Sequence, residues 1–536
     1  MAQRPMSGSR YAPLSWWLAS PHDKNTQGLV VSGFADQPVA RALFLKFDWC
    51  HDENKGGGAW LTALCGVAPI TDADGKDSRS TAIGFTSLGL RKMGFDANSL
   101  ESFDRPFKEG MFQEDRLRRL GDKRDDQWMP TVIEGGPKWS GNIPLEATAL
   151  DVQARAFRAP EDKKQEASIR TPITAHALLL LYTEDELSAD SWLAAVQEAI
   201  APLGVTVVHQ LPLSLSLDEK KIGREHFGFA DGISQPVPFE KGVVKIGTGE
   251  DASEKDTVHR VPLGEILMGH LNGHSEIAAG PVVPDTPEGR AAGLKPHPRG
   301  EGFLDFGLDG SYMVVSELKQ DVAQFWQSMD QSATQLNASA PPGATKVDAD
   351  WVANRVVGRD RDGNLLCPGG VLPSDASGQP DNEFRYFDRD KLGRGCPLGS
   401  HVRRGNPRDG LAPTTEHKDT LLDAANNHRI LRRGRNYGPN IADQRVDDSV
   451  DRGLLFLCLN TDIGRQFEFV QQTWILNPNF ACLYAEPDPL IGPTKSFTIQ
   501  EALLRQIIPV KSYVQMAGGE YFFLPSMAAL RYLEAL

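Results

Sequence analysis

The chain has little cysteine and no long apolar run. Six cysteines (Cys50, Cys65, Cys367, Cys396, Cys458 and Cys482) are scattered over 536 residues, and no two form a CxxC pair. That scarcity argues against a disulfide framework, a zinc ribbon and a thioredoxin-like redox pair. With no CxxCH, covalent attachment of a c-type haem is excluded as well. The longest apolar stretches, ALLLLY at 177–182 and LLFLCL at 454–459, fall far short of the roughly 20 residues a membrane helix needs. Positive charge is in deficit: the formal net charge is −14, a poor match to non-specific nucleic-acid binding. The first residues, MAQRPMSGSRYAPLSWWLASPHD, lack the sustained apolar core of a secretory leader and a twin-arginine pair. These features predict a soluble cytoplasmic protein that keeps off membranes.

What is present is ordinary globular composition, 40% hydrophobic and 24% charged, so local arginine clusters must be read as local devices. β-Branched and aromatic content predicts strands at 28–34 (GLVVSGF), 42–49, 82–87, around AHALLLLY and at 205–210. Helices are predicted at 58–67 and from Ser188, which would cap a stripe of Trp192, Leu193, Val196, Ala199 and Ile200. The C-terminal half repeats this order, with strands at 311–318 and 453–460 followed by helices at 319–329 and 464–476. The Gly/Pro-rich stretch 277–302 separates the halves, and 332–351 and 366–383 read as loops. Strands flanking packed helices, twice, predict an α+β fold of two similar lobes.

Three stretches could carry chemistry. In REHFGFADGISQP (224–236), Gly228 and Gly232 bracket Asp231 and free the backbone to push its carboxylate into a cavity. Phe227 and Phe229 beside it would lower the local dielectric, which suits general acid–base work. The plainer reading is a glycine turn whose aspartate caps its own backbone. In GRGCPLGSHVRRGNPRDG (393–410), His401 precedes Arg403, Arg404 and Arg408; such a histidine can present a nitrogen to a metal, and such arginines suit an anionic group. A solvated basic loop, or a thiolate from Cys396, would also fit. In NHRILRRGRNYGP (427–439), Ile430 and Leu431 interrupt four arginines, predicting a strand that turns one arginine face inward toward an anion; a solvated basic face is the plainer reading.

Taken together, GxxDG, CPxxxHxRRxNPR and ILRRGxxYG resemble the dye-decolorising peroxidases. QGLVVSGF, LGLRKMGF, GMFQEDRLRRLGD, GEILMGHLN, DGSYMVVSELKQDVAQFW and QFEFVQQTW follow that family's block order, so the resemblance covers most of the chain. One departure is Asp360, where the family often has tryptophan after Gly-Arg. The resemblance implies two ferredoxin-like lobes, expected at 1–290 and 291–536, around one non-covalent haem b per chain. It implies a peroxidase that reduces hydrogen peroxide and oxidises bulky organic donors, anthraquinone dyes and phenols, through an oxoferryl intermediate. His401 matches the proximal iron ligand, Asp231 the distal carboxylate and Arg432 the distal arginine. Arg403, Arg404 and Gly232 are expected to contact the cofactor, Glu468 to accept the second hydrogen of His401, and Tyr437 to carry electrons. The resemblance is also compatible with a haem-binding or iron-handling protein with incidental peroxidase activity. Without the resemblance, Asp231 and His401 would suit a phosphate-binding or hydrolytic site.

Overall fold

The structure, a computed structural model, describes residues 24–49, 57–75, 78–124, 127–141, 172–218, 222–239, 258–278, 280–374, 380–501 and 505–536. The N-terminal segment 1–23 and residues 142–171 lie outside them. The first lobe is built from β1 (Val39–Phe47), α1 (Ala59–Val67), β2 (Ser80–Phe85), β3 (Ala177–Thr183), α2 (Glu186–Ile200) and β4 (Val205–Ser214). Its sheet order is β4-β1-β3-β2, all antiparallel, with Leu43 opposite Leu179. This is the βαββαβ ferredoxin-like arrangement.

The second lobe repeats it with β5 (Ser311–Gln320), α3 (Val322–Ser339), two short strands β6 (Leu431–Arg432) and β7 (Arg435–Tyr437), β8 (Gly453–Asn460) and β9 (Val514–Leu524). A wide π-type helix in two runs, Gly464–Glu468 and Val470–Ile475, takes the place of the second crossover helix. β5 sits between β8 and β9, with Val315 opposite both Leu457 and Glu520. The two sheets join edge to edge at both ends: β7 pairs with β4 (Tyr437 opposite Leu213), and β2 with β9 (Phe85 opposite Phe523). The result is a closed ring, which leaves no main sheet edge among these eight positions open to solvent.

Strand alternation then sorts the side chains. Met313, Val315, Leu455, Leu457 and Leu459 point into the ring with Phe44 and Leu213. On the outer face of the second sheet, Ser316, Leu318, Gln320, Leu454 and Phe456 line a cavity. The outer face of the first sheet is covered instead by Trp60, Leu61, Trp192 and Val196 of α1 and α2.

Some local expectations change. Gly28–Val31 is a single helical turn rather than a strand, closed by the Ser32 N–H donating to Gly28 O at 2.9 Å, with all four residues buried. Asp185, not Ser188, caps α2, accepting from the Ser188 N–H at 2.8 Å. α3 runs on to Ser339, so the expected 332–351 loop begins as helix. Position 290 falls inside the helix Pro287–Ala292, whereas the last strand of the first motif ends at Ser214 and the first of the second begins at Ser311. No helix among the described residues is long and apolar enough to cross a membrane.

Candidate active site

The cavity encloses about 360 Å³, within the range of small-molecule sites. Three distant segments bring His401, Asp231 and Arg432 to its wall. Each leaves 35% of its side-chain surface accessible.

His401 opens a short helix, His401–Gly405, after Ser400. Its Nδ1 lies 3.0 Å from Asp488 Oδ2. Asp488 is fully buried, and its other oxygen accepts the Leu490 and Ile491 N–H groups at 2.9 and 3.0 Å. Burial opposes the carboxylate charge, but His401 and then Arg404 outweigh it and hold Asp488 below its ordinary pKa. Burial likewise opposes an imidazolium, yet the adjacent Asp488 charge leaves His401 above its ordinary value. A carboxylate can only accept, so Nδ1 carries the hydrogen and Nε2 is the nitrogen left for a metal. The partner expected for this role, Glu468, is committed elsewhere. It pairs with Arg116 at 2.5 Å and accepts from the Tyr521 hydroxyl at 2.9 Å. Asp488 therefore replaces Glu468 as the acceptor.

Asp231 follows a turn in which Gly228 (φ 93°) takes a left-handed conformation; Gly232 (φ 75°) comes directly after it. The Gly232 N–H donates to Asp231 Oδ1 at 2.5 Å, and Arg432 Nη1 lies 3.5 Å from the same oxygen. The capping and the cavity-facing readings of this aspartate thus describe one conformation. Gln235 fixes Arg432 by accepting from its N–H and donating to its carbonyl, at 3.1 and 3.0 Å. The neighbouring Arg433 turns away and donates to Leu29 O and Val30 O.

Arg403 and Arg404, expected at the cofactor, do not line the cavity. Arg403 lies behind Tyr386 and donates to the carbonyls of Asp390, Cys396 and Lys391. Arg404 is buried and donates to the carbonyls of Gly399, Trp474, Ile475, Asn477 and Glu486. At two and three residues beyond His401 they stand about 200° and 300° around the helix from it. The cavity takes its cations from Arg359, Arg408, Arg429 and Arg432. Burial pushes Arg408 down to about 10 and Arg429 down to about 9. Among the described residues no carboxylate lies within ion-pair distance of Arg359, Arg408 or Arg429. Three desolvated guanidiniums without a counter-charge call for an anionic guest. Asn406 Oδ1, also on this wall, is buried with no partner among the described residues. Asp360, the departure after Gly358-Arg359, is used locally, capping the turn through Asn364.

Tyr437 is 4% exposed, sits inside the ring and has a buried hydroxyl with no hydrogen-bond partner among the described residues. It lines neither the cavity nor the surface. Asp488 and Arg359 lie outside the three motif-bearing stretches. Asp488 sits in the loop EPDP, where no periodicity marks it.

An apolar-walled cavity between helix and sheet, with one carboxylate-backed imidazole and three arginines that have no carboxylate partner among the described residues, suits a guest that is anionic and metal-bearing. Haem b has both properties, and the residues fit it. Comparison with known proteins carries this further. No family model matches the chain. It is 32% identical over 368 residues to the multifunctional dye peroxidase DyP2 of Amycolatopsis sp., covering 63% of this chain and 66% of that protein. A dye-decolorizing peroxidase of Mycena epipterygia is 27% identical over 399 residues, 67% of this chain and 66% of the relative. The aligned part is just under two thirds of these relatives' length. A deferrochelatase of Yersinia pestis is 25% identical over 224 residues, 42% of this chain and 34% of that one. In fold, the chain matches a DyP-type peroxidase of Anabaena sp. with a TM-score of 0.67 at 23% identity, over 96% of this chain and 94% of the other. The Amycolatopsis DyP2 structure matches with a TM-score of 0.64 at 23% identity, over 98% and 99%. In sequence the chain is thus similar to dye-decolorising peroxidases, and it shares the fold of solved structures of that kind.

Proposed function

We propose that this chain is a haem peroxidase that reduces hydrogen peroxide and oxidises bulky organic donors, dyes and phenols among them. The observation that carries the reading is the convergence on one cavity of Asp488-backed His401 and the Asp231–Arg432 pair. His401 Nε2 is the ligand for the iron, and Arg359, Arg408 and Arg429 hold the carboxylates of the guest. Gly232, without a side chain, keeps the wall open beside Asp231. Bound haem supplies the redox-active iron; the residues supply proton handling and charge stabilisation. Asp231 accepts the proton of peroxide on a carboxylate oxygen and returns it to the departing oxygen. Arg432 donates N–H groups to the negative charge that builds there, with its guanidinium already in place. Leu454, Phe456, Leu490 and Ile491 keep water from that exchange.

Donors of dye size exceed this cavity, so their electrons travel through the protein, with Tyr437 as an internal relay rather than a surface contact. The two lobes are divided between Ser214 and Ser311, with the loop that carries Asp231 in the connection. The same proposal places the protein in the cytoplasm, where the free thiols of Cys65, Cys367, Cys396 and Cys458 would stay reduced. Titrating the purified chain with haemin tests the reading. A Soret band saturating at one haem per chain, then peroxide-dependent bleaching of an anthraquinone dye, is expected. Haem uptake without turnover would favour the haem- or iron-handling alternative. A chain that takes up no haemin would refute both.

A further inference from the structure

The loop that carries Asp231 is organised by a carboxylate of its own. Glu225, six residues earlier, folds back into the turn. Its Oε2 accepts the Phe227 N–H and its Oε1 the Phe229 N–H, both at 2.8 Å. Its backbone closes the same turn, with the Glu225 N–H donating to Phe229 O at 3.1 Å and the Gly228 N–H to Glu225 O at 2.9 Å. Every N–H from Phe227 to Phe229 therefore ends on Glu225. From the second lobe, Gln320 at the end of β5 donates its Nε2 to Glu225 Oε2 at 2.7 Å. Glu225 and Gln320 both line the cavity. The remaining polar atoms of the turn are held by neighbours. The Phe227 carbonyl accepts from Trp326 Nε1 at 3.2 Å and from Arg361 Nη2 at 3.3 Å, and the Gly228 carbonyl from Arg224 Nη1 at 3.2 Å. Two residues past this clasp the chain reaches Asp231, whose N–H donates to Gly223 O at 2.8 Å.

A half-buried carboxyl group spent on two backbone N–H groups and the Gln320 amide costs desolvation, and a glycine turn does not need one in order to form. What it adds is a fixed exit direction for the chain. We propose that Glu225, locked to the second lobe by Gln320, is the positioning residue that sets the Asp231 carboxylate against Arg432. The inference rests on the peroxidase reading and adds a residue to it. Glu225 would act only through Asp231, and that distinguishes positioning from a general contribution to the fold. Burial supports the same picture, since it raises the Glu225 pKa to about 7 and so keeps charge low beside Asp231.

The test is a double-mutant cycle on haem-loaded protein, with Glu225→Ala, Asp231→Asn and the double variant, followed by the rate of reaction with peroxide per bound haem. Glu225→Ala should slow that rate by about tenfold or more when Asp231 is present and by less than about twofold when residue 231 is asparagine, because residues acting as a unit do not add. Losses that multiply independently would overturn the proposal. A second measurement needs no haem: hydrogen exchange in the full-length apoprotein. Gln320→Ala, which spares the turn itself, and Glu225→Gln, which keeps one of the two acceptors, should both raise exchange in the peptide 224–236 and leave β5 and β8 protected. Exchange there that equals wild type, or that rises over the whole second lobe, would also overturn it. Should wild-type holoprotein fail to react with peroxide at all, the peroxidase reading fails, while the exchange data still decide whether Glu225 holds the loop.

Discussion

Replacing Asp488 with asparagine changes one atom and puts the hydrogen bond of His401 in conflict. In the wild type, Oδ2 accepts from His401 Nδ1 at 3.0 Å while Oδ1 accepts two backbone N–H groups, those of Leu490 and Ile491. An asparagine can keep its oxygen on the two N–H groups, but its NH₂ then faces Nδ1. His401 must give up the Nδ1 hydrogen, which moves to Nε2, the nitrogen needed for iron. If the amide turns the other way, the NH₂ opposes two buried N–H donors, and each unmet group costs about 1–3 kcal/mol. Either way iron ligation is penalised. Losing such a supporting carboxylate typically costs about 10–100-fold in metal affinity or activity, or about 1.4–2.7 kcal/mol. Haemin titration of the apoprotein, followed at the Soret band, should show that weakening for Asp488→Asn. Glu468→Gln should leave haemin affinity within about twofold of wild type and lower only stability, because Glu468 serves Arg116 and Tyr521. Wild-type affinity for Asp488→Asn together with weakened binding by Glu468→Gln would refute the assignment and restore Glu468.

Other expectations separate neighbouring residues. Arg432→Leu should leave haem bound but slow its reaction with peroxide by on the order of 10²–10³. Arg433→Leu should change that rate little, and stopped-flow mixing of both variants compares them directly. Arg404→Ala leaves the buried carbonyl oxygens of Gly399, Trp474 and Glu486 without this donor, so urea unfolding should report a loss of about 3 kcal/mol or more. Asp122 is a buried carboxyl on the cavity wall that burial raises to about 7. Its protonated form is favoured in the fold, so its stabilising contribution is complete below its ordinary value of 3.8 and is lost as pH rises through about 7. Asp122→Asn should flatten the dependence of Tm on pH between about 4 and 7, measured on the apoprotein by calorimetry.

Much of this arrangement was legible in the residues. The alternation in SYMVVSEL and GLLFLCLN and the stripe from Trp192 to Ile200 mark elements of both lobes, because burial on one face imposes its period on the chain. The closing of the two sheets into a ring was not legible, since edge pairing such as Tyr437 with Leu213 leaves no local pattern. His401, Asp231 and Arg432 could be read because each sits in a motif of glycines, prolines and paired arginines. The partner of His401 could not, because Asp488 comes from a loop and is defined only by where that loop returns. Arg403 and Arg404 were misplaced by proximity in sequence. The angle of their helix turns them from the cavity, while Arg359 and Arg429 approach it from segments that share no motif with His401. GLVVSGF, β-branched throughout its centre, forms a helical turn because the Thr71 carbonyl accepts the Gly28 N–H at 2.7 Å and tertiary contacts outweigh propensity.

The most direct test of the account is the rate at which haem-loaded Asp231→Asn reacts with peroxide, per bound haem and alongside wild type. The substitution keeps the oxygen that accepts the Gly232 N–H and removes only the capacity to take up a proton. The account predicts full haem occupancy, a fold as stable as wild type to within about 1 kcal/mol, and a rate lower by about 10²-fold or more. A wild-type rate at full occupancy would contradict it and leave Asp231 as the cap of a glycine turn.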